Sequence, residues 1–87
     1  KDEMTGLNNK RFLETVKIKY NGTNTKIGVI FIDIDNFKDA NDEHGHIAGD
    51  NILRSIAACF EQLVRPFDII CRLGGDEFCI ILVEIDL

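Results

Sequence analysis

Ile69-Ile70-Cys71-Arg72-Leu73-Gly74-Gly75-Asp76-Glu77-Phe78-Cys79-Ile80-Ile81-Leu82-Val83 decides how the rest of the chain is read. Two apolar runs, each too short for a helix, flank two glycines and two acids. That pattern predicts a β-hairpin with carboxylates at its tip. The consecutive glycines supply positive φ where the turn needs it and leave bare backbone for a ligand to approach. Asp76 and Glu77 then stand at a strand end, where they can hold a divalent cation. A plain hairpin with a solvated acidic tip has the same pattern, so the hairpin alone does not separate a site from a surface turn.

The stretch before it supplies the partner. Ile27-Gly28-Val29-Ile30-Phe31-Ile32 is apolar without alternation, which predicts a central strand covered on both faces and paired beside one hairpin strand. It runs into Asp33-Ile34-Asp35, and the two acids lean the same way if the strand persists. A carboxylate left unpaired at the end of a buried strand is costly, so a metal ion shared with the hairpin acids is the expected partner.

Helices fill the remainder. Asn8 or Asn9 caps a first helix in which Phe12, Leu13, Val16 and Tyr20 recur at helical spacing, and residues 21–25 form a surface loop. Residues 36–42 predict a short helical segment with Phe37 and Ala40 toward the core and a phosphate-favouring N-terminus just past the strand. His44 to Gly49 reads as a loop, whose two histidines fit a structural or capping role better than a metal site. Asp50 is the expected N-cap of the next helix, with Ile52, Leu53, Ile56, Ala57, Phe60 and Leu63 as its apolar stripe and Pro66 beyond its end. The order is α-β-α-α-β-β, an α/β unit whose sheet is flanked by helices.

Composition narrows the function. The 87 residues carry a net charge of −5, which argues against a nucleic-acid surface. An acidic domain can still take a nucleoside triphosphate if metal ions supply positive charge locally. The three cysteines, Cys59, Cys71 and Cys79, have no Cys-x-x-Cys spacing and predict reduced, buried thiols. No apolar run reaches membrane length, so no membrane contact is expected of this segment. The expected setting is cytoplasmic, either in its own right or as the cytoplasmic domain of a larger, membrane-bound protein.

Asp33-Ile34-Asp35-Asn36-Phe37-Lys38, Asn41-Asp42, Gly45-His46, Gly49-Asp50 and Arg72-Leu73-Gly74-Gly75-Asp76-Glu77-Phe78 together resemble the GGDEF domains of bacterial diguanylate cyclases, in order and at family spacing. Asp2-Glu3-Met4-Thr5-Gly6-Leu7-Asn8 resembles the family's opening motif, with Met4 where leucine is usual. The resemblance implies a nucleotidyl-cyclase fold of which residues 1–87 are the N-terminal and central part. It implies that two GTP molecules condense to cyclic di-GMP with release of two pyrophosphates, on two domains meeting face to face as a homodimer.

The same resemblance assigns residues. Asp33, Asp76 and the Ile34 carbonyl match metal ligands for Mg²⁺ or Mn²⁺, all hard oxygen donors. Glu77 matches the acid beside the metal, with a part in ligation or in deprotonating the attacking hydroxyl. Asn41 and Asp50 match the guanine-reading pair, while Lys38, Phe37 and Gly75 match substrate-side positions. Asp50 can also simply cap a helix, and Lys38 can simply be a solvated lysine. Arg65-x-x-Asp68, five residues before Gly74-Gly75, matches the family's product-inhibition site, against the alternative of a surface ion pair. The competing reading of the whole chain is a regulatory module that binds GTP or senses cyclic di-GMP without turnover.

Overall fold

The computed structural model describes residues 1–84. Its elements are α1 (Lys10–Tyr20), β1 (Ile27–Asp33), α2 (Phe37–His44), α3 (His46–Leu63), β2 (Ile69–Gly74) and β3 (Glu77–Val83), the order expected from the sequence. The strands form one antiparallel sheet in the order β1-β3-β2. Ile27 pairs with Val83 at one end of β1 and Asp33 with Glu77 at the other.

Strand alternation builds two cores, one on each face of the sheet. Phe78 and Ile80 of β3 and Ile70 of β2 join Leu53 and Ala57 of α3, Phe37 of α2 and Leu7 of the lead-in. Cys79, Ile81 and Val83 of β3 and Cys71 of β2 join Leu13 and Val16 of α1. Phe78 and Ile81 are fully buried, and Phe60 meets the Phe78 ring edge-on at a centroid distance of 5.5 Å. Each such side chain contributes about 1.5–3 kcal/mol by leaving water.

Several expectations are corrected. The central strand is β3, and β1 lies at the sheet edge, with Val29, Ile30 and Phe31 at 43%, 45% and 66% exposure. The physical reason, among the described residues, is that β3 has apolar residues on both faces and helices over both, whereas α1 packs against β2 and β1 meets the cores only through Ile27 and Ile32. The segment from His44 to Gly49 is not a loop. Gly45 alone, at φ 89° and ψ 168°, separates α2 from α3, and Asp50 therefore lies inside α3 rather than at its cap. The Gly45 N–H closes α2 on the Asn41 carbonyl at 2.8 Å, and the Gly45 carbonyl opens α3 by accepting from Gly49 N–H at 3.2 Å. Leu63, placed in the apolar stripe by its spacing, is 80% exposed as the last residue of α3, where Phe60 and Val64 take the core-facing places instead.

Cys71 and Cys79 are buried as expected, whereas Cys59 is exposed because it lies on the solvent side of α3. Further local readings hold. Asn9 caps α1, its side-chain oxygen accepting from Phe12 N–H at 3.1 Å. Gly74 and Gly75 take φ of 152° and 50° at the hairpin turn, and the β2–β3 register shifts between Arg72 and Gly74. Among the described residues no helix is long and apolar enough to cross a membrane.

Candidate functional site

The hairpin turn and the end of β1 meet. Asp33 is the last residue of β1 and lies opposite Glu77 in the ladder. One residue further, Ile34 N–H donates to the Asp76 carbonyl at 3.2 Å, fastening the chain after β1 to the turn. The acids brought together by this stitch raise the Asp33 pKa above its ordinary value. The charge of the Asp76 carboxylate is the largest cause, some loss of hydration adds to it, and the charges of Glu77 and Asp35 contribute less. No lysine or arginine of the described residues forms an ion pair with any of these acids. A concavity of about 220 Å³ lined by Phe31, Ile32, Asp33, Leu73, Glu77 and Phe78 opens beside them. It is accessible because β1 has no helix over the face that carries Phe31 and Asp33.

This arrangement suits a cation. Among the described residues no three His, Cys, Asp or Glu side chains stand together as a metal cage. The Asp33 and Asp76 carboxylates are hard oxygen donors of the kind that can hold a divalent cation together with water. Carboxylates that repel one another without an internal counter-ion are relieved by a divalent charge.

Past β1 the chain turns through Asn36, at φ 61°, into α2. Asn36 makes no side-chain cap, so the first N–H groups of α2 have no capping side chain. Phe37 is buried in the core, which leaves only its backbone to face a ligand, and Lys38 is exposed. Asn41 sits on α2 against α3, and its side-chain oxygen is buried with no hydrogen-bond partner. A buried acceptor without a partner is uncommon and costs free energy. The helices approach here so closely that a methyl group on Gly49 would overlap the Asn41 amide oxygen and crowd the Phe37 ring. Asp50, half-buried, follows directly on α3.

Arg65 and Asp68 lie apart from these residues, before β2. The Arg65 Nε and Nη2 donate to the two Asp68 oxygens at 3.0 and 2.9 Å, and Arg65 N–H donates to Asp68 at 2.9 Å. Nη2 also reaches the Val83 carbonyl at 3.3 Å, while Val83 N–H donates to Asp68 at 3.4 Å. The guanidinium stacks over Phe67 at 4.4 Å. Hydrogen bonding from Arg65 holds the Asp68 carboxyl below its ordinary value. The pair borders a concave surface of about 440 Å³ that Lys1, Asn8 and Glu61 also line.

Sequence reasoning gave no role to Arg72, Asp2 or Gly49. Arg72 binds both the turn and the lead-in; the advance signals were that it is the one cation within the hairpin stretch and that it and Asp2 open the two quoted motifs.

An α2–α3 pair over a three-stranded sheet, with paired acids at a glycine turn, is the arrangement expected of an α/β domain of the GGDEF type. The family model described as diguanylate cyclase, GGDEF domain, matches residues 1–87, and the chain belongs to that family. Diguanylate cyclase DosC of Escherichia coli K12 is 46% identical over 87 residues, covering 95% of this chain and 19% of DosC. The structure of the isolated GGDEF domain of TpbB from Pseudomonas aeruginosa superposes with a TM-score of 0.82 at 40% identity, covering 93% of this chain and 49% of that one. The GGDEF domain of DgcB from Caulobacter crescentus, solved in complex with c-di-GMP, gives a TM-score of 0.85 at 29% identity, over 98% of this chain and 52% of that one. The chain thus spans about a fifth of the DosC length and about half of these two solved domains.

Proposed function

We propose that this chain is the metal- and guanine-binding part of a diguanylate cyclase that condenses two GTP molecules to cyclic di-GMP and two pyrophosphates in the cytoplasm. The observation that carries the reading is the meeting of the end of β1 with the glycine turn, where Asp33 lies opposite Glu77, Ile34 N–H donates to the Asp76 carbonyl at 3.2 Å, and no described lysine or arginine pairs with these acids. Both carboxylates and the Ile34 carbonyl would hold Mg²⁺ or Mn²⁺, which supplies charge neutralisation at the reacting phosphate. Asp33 is presented by the end of β1 and Asp76 by the turn, so neither has to be drawn from a distant loop. Glu77, exposed at the start of β3, is free to accept the proton of the attacking 3′-hydroxyl. Gly75 leaves bare backbone beside the phosphates, and the uncapped start of α2 at Phe37 with Lys38 favours negative charge.

Guanine selection follows from the α2–α3 junction. The unpartnered Asn41 oxygen is an acceptor for a base donor. The Asp50 carboxylate can accept from guanine N1–H and the exocyclic amine together, a pair of donors adenine does not present. Leaving buried acceptors unpaired is the penalty that excludes ATP. Each domain contributes one nucleotide, so the reaction requires a homodimer.

Arg65 and Asp68 fit a product-binding role, since guanidinium and carboxylate are both complementary to guanine and phosphate edges. Their mutual ion pair means that product must compete with an existing contact.

The test is incubation of the full-length protein with GTP and Mg²⁺, followed by chromatography of the nucleotides. Cyclic di-GMP from GTP, none from ATP, and none from Asp76→Ala is the expected result. Nucleotide binding without product would establish instead a regulatory module, and no binding at all would remove the reading.

A further inference from the structure

Two adjacent glycines give a turn freedom but no preferred geometry. Gly74 and Gly75 therefore cannot by themselves aim the Asp76 carboxylate, and something outside the turn must fix it. Arg72 is placed to do so. Its side chain is only 11% exposed. Nε and Nη2 donate to the Gly75 carbonyl at 3.2 and 2.9 Å, while Nη1 donates to both Asp2 oxygens at 3.1 and 3.2 Å. Asp2 is itself immobilised, accepting from Thr5 Oγ1 at 2.6 Å and Thr5 N–H at 2.9 Å.

The lead-in that carries Asp2 is no irregular arm. Asp2 N–H donates to the Leu7 carbonyl at 2.7 Å, Gly6 N–H to the Asp2 carbonyl at 2.9 Å, and Leu7 is buried. Asn8 bridges β2, accepting from Arg72 N–H at 2.8 Å and donating to the Ile70 carbonyl at 3.3 Å. Arg54 of α3 adds a bond to the Met4 carbonyl at 3.3 Å. On the far side of the turn the Asp76 carbonyl accepts from Ile34 N–H. The Gly75–Asp76 segment is thus gripped from both sides, by Arg72 and by the chain after β1.

We propose that Arg72, anchored by Asp2, is the positioning residue that fixes the glycine turn and so sets the geometry of the Asp33–Asp76 pair. The folded lead-in becomes part of the site's support, and any movement of Asp2 is felt at Asp76. This rests on the proposed function only for the use to which the acidic pair is put.

The test is residue-resolved amide hydrogen exchange of the full-length protein carrying Arg72→Lys, Asp2→Asn or both. Lysine cannot hold the Gly75 carbonyl and Asp2 at once, because it lacks the planar fork. The Ile34 amide should exchange roughly tenfold faster in each single variant, while amides in mid-β3, such as Ile80, stay protected. The double variant should match Arg72→Lys alone, since both changes cut the same chain of contacts. An unchanged Ile34 amide, additive effects, or uniform acceleration through β3 would each overturn the proposal. In parallel, electron paramagnetic resonance of Mn²⁺ should show several-fold weaker binding in both single variants. Equal Mn²⁺ affinity in wild type and variants counts against it. Failure of Mn²⁺ to bind wild type removes the proposed function, whereas the exchange result still decides the role of Arg72.

Discussion

Asp33 and Asp68 stand at comparable places, one closing β1 and the other just before β2, yet their surroundings push them in opposite directions. Asp33 faces Asp76, Glu77 and Asp35, and the repulsion raises its pKa. Asp68, with its side chain 2% exposed, is held by Arg65 and the Val83 N–H, and its pKa is lowered. The fold pairs one carboxylate from within and leaves the other exposed at the end of β1 among like charges. An acid kept next to other acids is relieved by a bound cation, whereas an acid paired within the fold helps to hold the fold together.

The largest effect expected from that contrast is on activity. Asp33→Ala or Asp76→Ala should lower cyclic di-GMP formation by at least about a hundredfold, measured by nucleotide chromatography, with no fall in the thermal unfolding midpoint. Removing one of two repelling charges takes no favourable interaction from the apo fold. A midpoint that drops steeply in either variant would show that the acids are structural.

A smaller effect sharpens the same point without turnover. A folded-state pKa raised above the unfolded value means that ionising Asp33 opposes folding, so its contribution to stability is lost as pH rises through the folded pKa. At neutral pH a bound cation offsets this penalty. Saturating Mg²⁺ should raise the unfolding midpoint of the wild-type protein by about 2–5 °C and that of Asp33→Asn by much less. Scanning calorimetry with and without Mg²⁺ checks it, and an equal shift in both proteins would place the cation elsewhere.

Much of this was legible in the chain because local patterns decided it. The hairpin over Ile69 to Val83 follows from two apolar runs around paired glycines, and the Asn9 cap from a single residue type before a helical repeat. The motif residues also carried the family resemblance, and the family model matches residues 1–87. What the sequence could not show was relative placement. Ile27 to Ile32 has the composition of a strand buried on both sides, but which strand is central depends on which one the helices cover, a non-local outcome. The α2–α3 junction misled for another reason. A polar stretch with two histidines and two glycines looks like a loop, yet Gly45 alone makes the break, and Asp50 resembles a cap while lying inside a helix. The Arg72–Asp2 contact joins residues seventy apart, and no local pattern announces such a pair.

The smallest effect concerns the satisfied acid. Asp68→Asn should destabilise the protein by about 1 kcal/mol at pH 7, the usual scale for a charge-assisted contact whose partner is half in water. The sign of its pH dependence is opposite to that at Asp33. A folded pKa depressed below the unfolded value contributes stability above the unfolded value and loses it as pH falls through the folded one. The difference between wild type and Asp68→Asn should therefore hold at pH 5 to 7 and shrink below about pH 4, where the unfolded carboxylate begins to protonate. Denaturant midpoints across that range measure it. Salt should reduce the effect only in part, because Arg65 is 53% exposed whereas the bond from Val83 N–H to Asp68 is sheltered. A difference that stays constant into the acid range would mean that asparagine disturbs packing at the end of β3 rather than the charge pair. Asp68 would then have to be read as a structural plug, and product recognition through this pair would lose its electrostatic basis.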